Sequence, residues 1–344
     1  MNETNTFVWS SDYESFTGEG LLARCFVENY FKSGEKIKIQ SNNSKYLFQK
    51  KKYSLIKKKK YKNNFLTKYL YPLYGVLLIW HNHIKGNKTC YVNYLPLWNF
   101  LIFIFLPKST ILGPITGGIY SGKIYNFNTF FRKVVFQFFY FISLKLIFLK
   151  YKYIIFSTEN LKRIIPKNKI KFCLFNFCLL FYRKRKLKNK DIDFLFYIRK
   201  HPQKSNLFLN YIIKKLTFLN LKIVVVGDKF TETNIKNYEN IDRNKLLHLL
   251  DRTKYSVMSG DNFYSLFFLD CISSNVFTFV NEKLISKKVF LKNSSFKSLN
   301  YSRHNLSFLK ISNRLRNKKI TNYITENYFL NEKKNILNFI KKKY

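Results

Sequence analysis

The run Ile223-Val-Val-Val226, bounded by Lys222 and the turn pair Gly227-Asp228, constrains the fold more than any other segment. Four consecutive apolar, β-branched residues leave no polar face, so they belong to a strand covered on both sides. Similar runs flank it, separated by helix-length segments. They read as strand Phe194–Ile198, helix Leu207–Leu219, strand Lys222–Val226 and short helix Lys245–Leu250. Strand Tyr255–Met258, helix Tyr264–Cys271 and a final strand Val276–Val280 follow. Strands alternating with helices in this way predict a parallel sheet.

The first half alternates less regularly. Phe7–Ser10 reads as a strand, followed by the turn-rich 11–20 and a helix over Leu21–Phe31. Gly34-Glu-Lys36 ends that helix, and Ile37–Ile39 resumes as a strand, the opening of a βαβ unit. Residues 41–70, rich in Lys, Asn and Tyr, are expected as mixed helix and loop. Leu77–Trp80 and Thr89–Asn93 are expected as strands, and Trp98–Leu106 as a helix closed by Pro107. Thr110–Leu112 is a strand entering the loop Gly113-Pro-Ile-Thr-Gly-Gly118. Val134–Leu149 is a long helix before the strand Tyr153–Phe156, and Phe172–Tyr182 reads as another strand. The charge-dense Arg183–Asp191 is the natural linker.

The expected architecture is therefore α/β, with two Rossmann-like domains facing across a cleft. The first spans 1–182, a basic linker 183–192, and the second 193–325. A C-terminal helix within 326–344 could cross back over the hinge. Sheets of this kind bind ligands at the carboxyl ends of their strands.

Composition narrows the function. The chain has 344 residues, 62 Lys and Arg against 19 Asp and Glu, and a net charge of +43. With 47% apolar and 19% aromatic residues it is no disordered polybasic tail. Five cysteines in a chain of this length make no disulfide framework and point to a reducing, cytoplasmic compartment. The opening MNETNTFVWSSDYESF shows no signal peptide. A single alanine beside 37 Phe and 25 Tyr indicates drift toward A/T-rich codons, which supplies lysine without a dedicated partner. A charge this large still attracts anionic membrane or nucleic acid.

Three apolar stretches, Trp98–Leu106, Val134–Leu149 and Phe172–Tyr182, fall short of the ~20 residues a spanning helix needs. Buried core is the simplest account of them. A segment lying in a bilayer interface is the other, with Lys133, Lys145, Lys150 and Lys152 meeting anionic headgroups.

Three features in the second half lie where ligand-binding loops belong. Arg199 and Lys204 follow a strand directly, and such a pair suits a diphosphate. Ser259-Gly-Asp261-Asn-Phe-Tyr-Ser265-Leu leaves a strand and starts a helix, whose amides and dipole favour an anion. Asp270, on that helix, offers a carboxylate to sugar hydroxyls.

The segments carrying these residues, with Ile-Val-Val-Val-Gly-Asp, the stretch Leu246–Gly260 and Asp-Asn-Phe-Tyr-Ser-Leu-Phe-Phe-Leu-Asp, resemble the retaining GT-B glycosyltransferases of family 4 (group 1). The likeness is best over 194–281. It is weaker over 7–40, where Gly18-Glu19-Gly20 is similar to the family's acceptor-side loop. It implies transfer of a sugar from a nucleotide-diphosphate sugar, without metal or other cofactor, to a lipid-linked or surface-glycan acceptor, as in lipopolysaccharide or polysaccharide biosynthesis. It assigns the catalytic roles to Arg199 and Lys204, which neutralise the leaving diphosphate. Donor binding falls to Gly227, Asp261, Asn262, Tyr264, Ser265, Leu266 and Asp270. The family's E-x7-E signature maps to Asp261 and Asp270, the first on the donor sugar and the second on the ribose. Both acids are Asp and the spacing is x8, so Asn262, at x7, can take the sugar contact. Thr116, Gly117 and Gly118 join Gly18, Glu19 and Gly20 on the acceptor side.

The implied location is cytoplasmic, peripheral on the inner face of the cell membrane, with no dedicated nucleic-acid partner. The alternative is a basic nucleic-acid-binding or ribosome-associated protein, whose binding would fall steeply with salt. Asp191-Ile-Asp193 has the D-x-D form of metal-binding transferases but precedes a strand beside lysines that can pair with it. His81 and His83 lack a completing carboxylate or cysteine, and Cys173 and Cys178 lack zinc spacing.

Overall fold

A computed structural model describes residues 6–15, 18–32, 34–58, 65–92, 97, 99–116, 130, 133–183, 185, 189–198, 207–219, 221–259, 265–282, 296–299 and 323–343. The chain divides into two compact units, 1–177 with 336–344, and 178–335.

The first unit opens with β1 (Thr6–Trp9), α1 (Gly18–Tyr30) and β2 (Ile37–Gln40), a parallel βαβ unit in register from Thr6 opposite Ile37 to Trp9 opposite Gln40. β3 (Ser44–Gln49) and β4 (Lys52–Lys58) continue antiparallel from β2. They replace the mixed helix and loop expected there. Their turn is Lys50-Lys51, both in the left-handed region (φ 49° and 61°), as a two-residue hairpin of the right twist requires. α2 (Phe65–Ile84) follows, then β5 (Lys88–Tyr91), α3 (Phe100–Phe105) and β6 (Ile111–Leu112). The expected strand Leu77–Trp80 is thus the last half of a helix, because a four-residue apolar run fits either state. The sheet order is β4-β3-β2-β1-β5-β6.

α4 (Val135–Lys150) leads to β7 (Ile154–Ile155), and β8 (Cys173–Leu174) pairs with it in parallel. Residues 172–182 are mostly 3₁₀ turns and not the expected strand. Their apolar character reflects burial of Phe177, Cys178, Leu179 and Leu180. Val76 and Ile79 of α2, Ile102 and Phe103 of α3, and Leu144 and Ile147 of α4 meet Phe7, Trp9, Tyr91 and Phe156 in one core. Val8, on the opposite face of β1 by strand alternation, is equally buried. Both faces of the sheet are therefore covered at β1.

The second unit contains β9 (Ile192–Tyr197), α5 (Leu207–Leu216), β10 (Ile223–Val226), β11 (Ile235–Tyr238), α6 (Arg243–Asp251), β12 (Thr253–Val257), α7 (Leu266–Ser273), β13 (Phe277–Asn281) and β14 (Phe296–Leu299). All five pairings are parallel, in the order β11-β10-β9-β12-β13-β14. By position within the unit this is 3-2-1-4-5-6, the strand order of dinucleotide-binding sheets. Val276–Val280 is not the final strand, since β14 adds a sixth. Phe194 and Phe196 of β9 pack with Leu209, Ile212, Ile213 and Leu216 of α5 on one face. Leu195, Val224 and Val226 are buried on the other. α8 (Tyr323–Lys343) belongs to the second unit as far as Asn335 and to the first from Ile336.

Candidate functional site

In an open parallel sheet the ligand crevice lies beyond the carboxyl ends of the strands, where strand order reverses. In the second unit the reversal falls between β9 and β12. β9 leaves through Ile198, whose amide donates to the Val226 carbonyl at 2.8 Å. Arg199 and Lys204 come next in the chain and lie outside the described residues. β12 leaves through Met258, whose amide donates to the Phe279 carbonyl at 2.8 Å. Asp261, Asn262 and Tyr264 also lie outside the described residues. Both loops singled out in the sequence therefore start at the reversal point.

Gly227 closes β10 beside this point. Its φ is +93°, and a Cβ there would sit 2.0 Å from the Ile198 carbonyl oxygen. Only glycine combines that backbone conformation with that approach. The exit of β10 thus rests on the residue immediately before Arg199.

α7 starts where the β12 loop ends. Ser265 is its N-cap, with Oγ accepting from the Phe268 amide at 3.1 Å, and Leu266 is its first residue. The helix N-terminus, carrying positive dipole potential, is thereby held at the carboxyl edge of the sheet. Tyr197, the last residue of β9, packs its ring 5.1 Å from Phe267 and ties the two exits together.

Asp270 lies one turn further along α7 and is buried. Arg243, the first residue of α6, places Nη2 2.5 Å from Asp270 Oδ1, and its guanidinium lies over the Phe181 ring at 5.6 Å. Asp242 caps α6 by accepting from the Lys245 amide at 2.9 Å, which fixes where Arg243 stands. Burial pushes the Asp270 carboxyl up to about 6, outweighing the opposing pull of Arg243 and Arg185. Sequence reading missed Arg243. Its partner is 27 positions away, and Asp242-Arg243 before an apolar run reads only as a helix start.

A second ion pair stands at the opposite, amino edge of the sheet. Arg185 grips Asp251 in a bidentate pair at 2.7 and 2.6 Å, and Ser274 Oγ donates to the same carboxylate at 3.0 Å. Lys190 Nζ donates to the Thr253 and Ser274 carbonyls, and burial lowers its pKa to about 8. Asp191 pairs with Arg252, and Asp193 with Lys254 at 2.8 Å and the Lys222 amide at 3.0 Å. The D-x-D is therefore an ion-paired edge before β9. Among the described residues no group of His, Cys, Asp or Glu could hold a metal. His81 and His83 are two apart on a helix and so do not share a face. All five cysteines are free thiols.

In the first unit, Gly18, Glu19 and Gly20 form the first turn of α1. A Cβ on Gly20 would lie 2.2 Å from the Ser15 carbonyl oxygen, so the loop after β1 folds directly onto the helix start. Arg24 secures it by donating to the Tyr13 and Ser15 carbonyls. Thr116 follows Ile115, which bridges to Phe156, and is buried with no hydrogen-bond partner for its hydroxyl among the described residues. Gly117 and Gly118 lie outside them.

Neither a protein-family model nor a curated protein matches the sequence. Solved structures match it along its length. A glycosyltransferase from Rickettsia africae superposes with a TM-score of 0.55 at 11% identity, covering 100% of both chains. A UDP-GlcNAc 2-epimerase from Neisseria meningitidis, bound to UDP-GlcNAc, gives 0.51 at 10% identity over 98% of this chain and 100% of that one. A UDP-GlcNAc 2-epimerase from Methanocaldococcus jannaschii gives 0.51 at 10% identity over 92% and 94%. With a parallel β2-β1-β5-β6 portion in the first sheet and a fully parallel second sheet, this chain has the GT-B fold of two Rossmann-like domains.

Proposed function

We propose that this chain is a glycosyltransferase that moves a sugar from a nucleotide-diphosphate donor to a lipid-linked or surface-glycan acceptor. The observation that carries the reading is the strand-order reversal between β9 and β12, from which both motif-bearing loops depart. The neighbouring folds support it, since one is a glycosyltransferase and another holds UDP-GlcNAc.

In this reading the diphosphate lies between the α7 N-terminus and the loop of Arg199 and Lys204. Asp270 Oδ2 accepts from ribose hydroxyls while Arg243 holds Oδ1. Asp261 or Asn262 takes the donor sugar, and Gly227 lets the backbone come close. As the bond from the anomeric carbon to the diphosphate oxygen breaks, negative charge grows on that oxygen and positive charge on the sugar. Fixed cations and amides aimed at the oxygen lower the barrier without reorganising. The acceptor hydroxyl attacks the same face, and its proton passes to the departing phosphate oxygen. The reaction is then retaining, with Arg199 and Lys204 supplying the charge a metal would otherwise bring. Gly18, Glu19, Gly20, Thr116, Gly117 and Gly118 serve the acceptor.

A nucleotide-sugar epimerase is the second reading, favoured by the two epimerase folds. Thermal melts with UDP, GDP and ADP, followed by product analysis of the matching sugar nucleotide with a lipid-linked acceptor, decide among the readings. A ligand of the native state raises stability by mass action, about 2.7 kcal/mol at a hundredfold excess over Kd. A stabilising nucleotide and a glycosylated acceptor are expected. A converted sugar nucleotide with no transfer makes it an epimerase. Stabilisation by single-stranded RNA and by no nucleotide makes it a nucleic-acid binder.

A further inference from the structure

Three helices of the first unit carry apolar side chains on the side away from the core. On α2, Tyr74, Leu77 and Ile84 are exposed, the last at 80%. On α4, Phe138, Phe141 and Leu149 are exposed, again 80% for the last. These spacings each describe one helical face. α3, between them, adds Leu101 and Phe105. The three helices form a single layer. Trp80 Nε1 on α2 donates to the Phe105 carbonyl at 2.6 Å, and Lys150 Nζ on α4 donates to the Ile104 and Leu106 carbonyls. All three bury their other sides in the same core. Their outer stripes therefore look the same way and make one apolar face.

The charge around that face is one-sided. From residue 36 to 158 the chain has 21 Lys and Arg and not one Asp or Glu. Spread evenly, the 19 acids of the chain would place about seven there. Drift toward A/T-rich codons acts along the whole chain, whereas all 19 acids lie outside this segment. Lys85, Lys108, Lys133 and Lys152 are exposed at the helix ends, and Lys145 lies within the α4 stripe with Nζ 4.7 Å from the Phe141 ring centre. An apolar centre with cations and no anions matches a surface of negative headgroups over hydrocarbon. No described helix is long and apolar enough to cross a membrane.

We infer that the outer face of α2, α3 and α4 docks on an anionic lipid bilayer, with Leu77, Phe138 and Phe141 entering the acyl boundary and the lysines meeting headgroups. This holds whether or not the chain is a transferase, because it uses no residue of the second unit.

The test is flotation of the full chain with phosphatidylcholine vesicles, with and without phosphatidylglycerol, at low and high salt. The docking face predicts binding to the anionic vesicles that weakens with salt. The double variant Phe138→Glu with Phe141→Glu should lower it at least about tenfold, since each ring contributes apolar burial. Its melting temperature should not change. Leu77→Glu, on another helix, should act in the same direction. Lys133→Gln with Lys145→Gln should lower binding while leaving the apolar stripe intact. Equal binding to neutral vesicles, or no binding to either, overturns the inference. So does a lipid-free oligomer that the same variants convert to monomers, which would make the face a contact between copies of this chain.

Discussion

The Arg243 guanidinium stands 2.5 Å from Asp270 Oδ1 and joins the first residue of α6 to the middle of α7. The pair keeps a buried carboxylate at the carboxyl edge of the sheet, against a desolvation penalty larger than the attraction. Asp270 therefore opposes folding when ionised. Its carboxyl is raised from 3.8 to about 6, so the folded chain holds the proton more tightly than the unfolded chain. Within that window stability contributed by the protonated form is lost as pH rises.

Asp270→Asn should gain on the native protein as the pH rises from 4 to 7, by up to roughly 3 kcal/mol. Urea unfolding of both proteins at several pH values checks this, and a difference that stays constant removes the titration. The same variant should lose nucleotide affinity at pH 7, because its amide replaces the acceptor proposed for the ribose. Native affinity for the diphosphate should likewise fall as the pH drops below about 6.

Arg185 makes the opposite case. It pairs with Asp251 at the amino edge of the same sheet, on the far side from any strand-end ligand. Asp251 is nearly fully buried, with 2% of its side chain exposed, so Arg185→Leu leaves an uncompensated charge. A loss of about 3–5 kcal/mol is expected. Nucleotide affinity of the folded fraction should change little, and only through loss of the weak pull of Arg185 on Asp270; calorimetric titration below the melting range reads it. A large fall in affinity would mean that the two edges of the sheet are coupled.

How legible all this was in the sequence depended on burial. β10 is covered on both faces and so reads as a continuous apolar run, and β9 and β13 nearly so. β4 is almost wholly exposed, and its lysines hide it. Its turn, Lys50-Lys51, bends without the Asn-Gly pair that makes such turns readable. Leu77–Trp80 misled because α2 is apolar on its outer face as well as its inner one, which removes the helical period from a short window. At the candidate site the sequence points to Ser265 and Asp270 because a helix opens there after a loop that leaves a strand. Arg243 was out of reach, since its role exists only once α6 and α7 pack.

Gly227 should tolerate no side chain. Gly227→Ala meets the Ile198 carbonyl at 2.0 Å and forces a non-glycine residue to φ +93°. Strain of ~1–3 kcal/mol is expected from the backbone alone, with the clash added. Because Ile198 must move and Arg199 follows it, nucleotide affinity should fall together with stability. Denaturant melts and a titration on the folded variant separate the effects. An unchanged affinity would detach the β9 exit from the ligand.

Arg199 and Lys204 are the residues whose removal should hurt turnover most and folding least. Both follow the end of β9 in the chain, at the point where strand order reverses. If they neutralise a leaving diphosphate, their benefit grows along the reaction as charge moves to that oxygen. Truncation should then lower kcat more than it raises KM. Arg199→Ala and Lys204→Ala should each lose roughly 10²–10³-fold in kcat, with the melting temperature unchanged. The double variant should lose less than the product of the two, because both groups act on one charge. Arg199→Lys keeps the charge without the planar fork and should fall between. Turnover retained by the double variant would place the neutralising charge elsewhere and remove the mechanism.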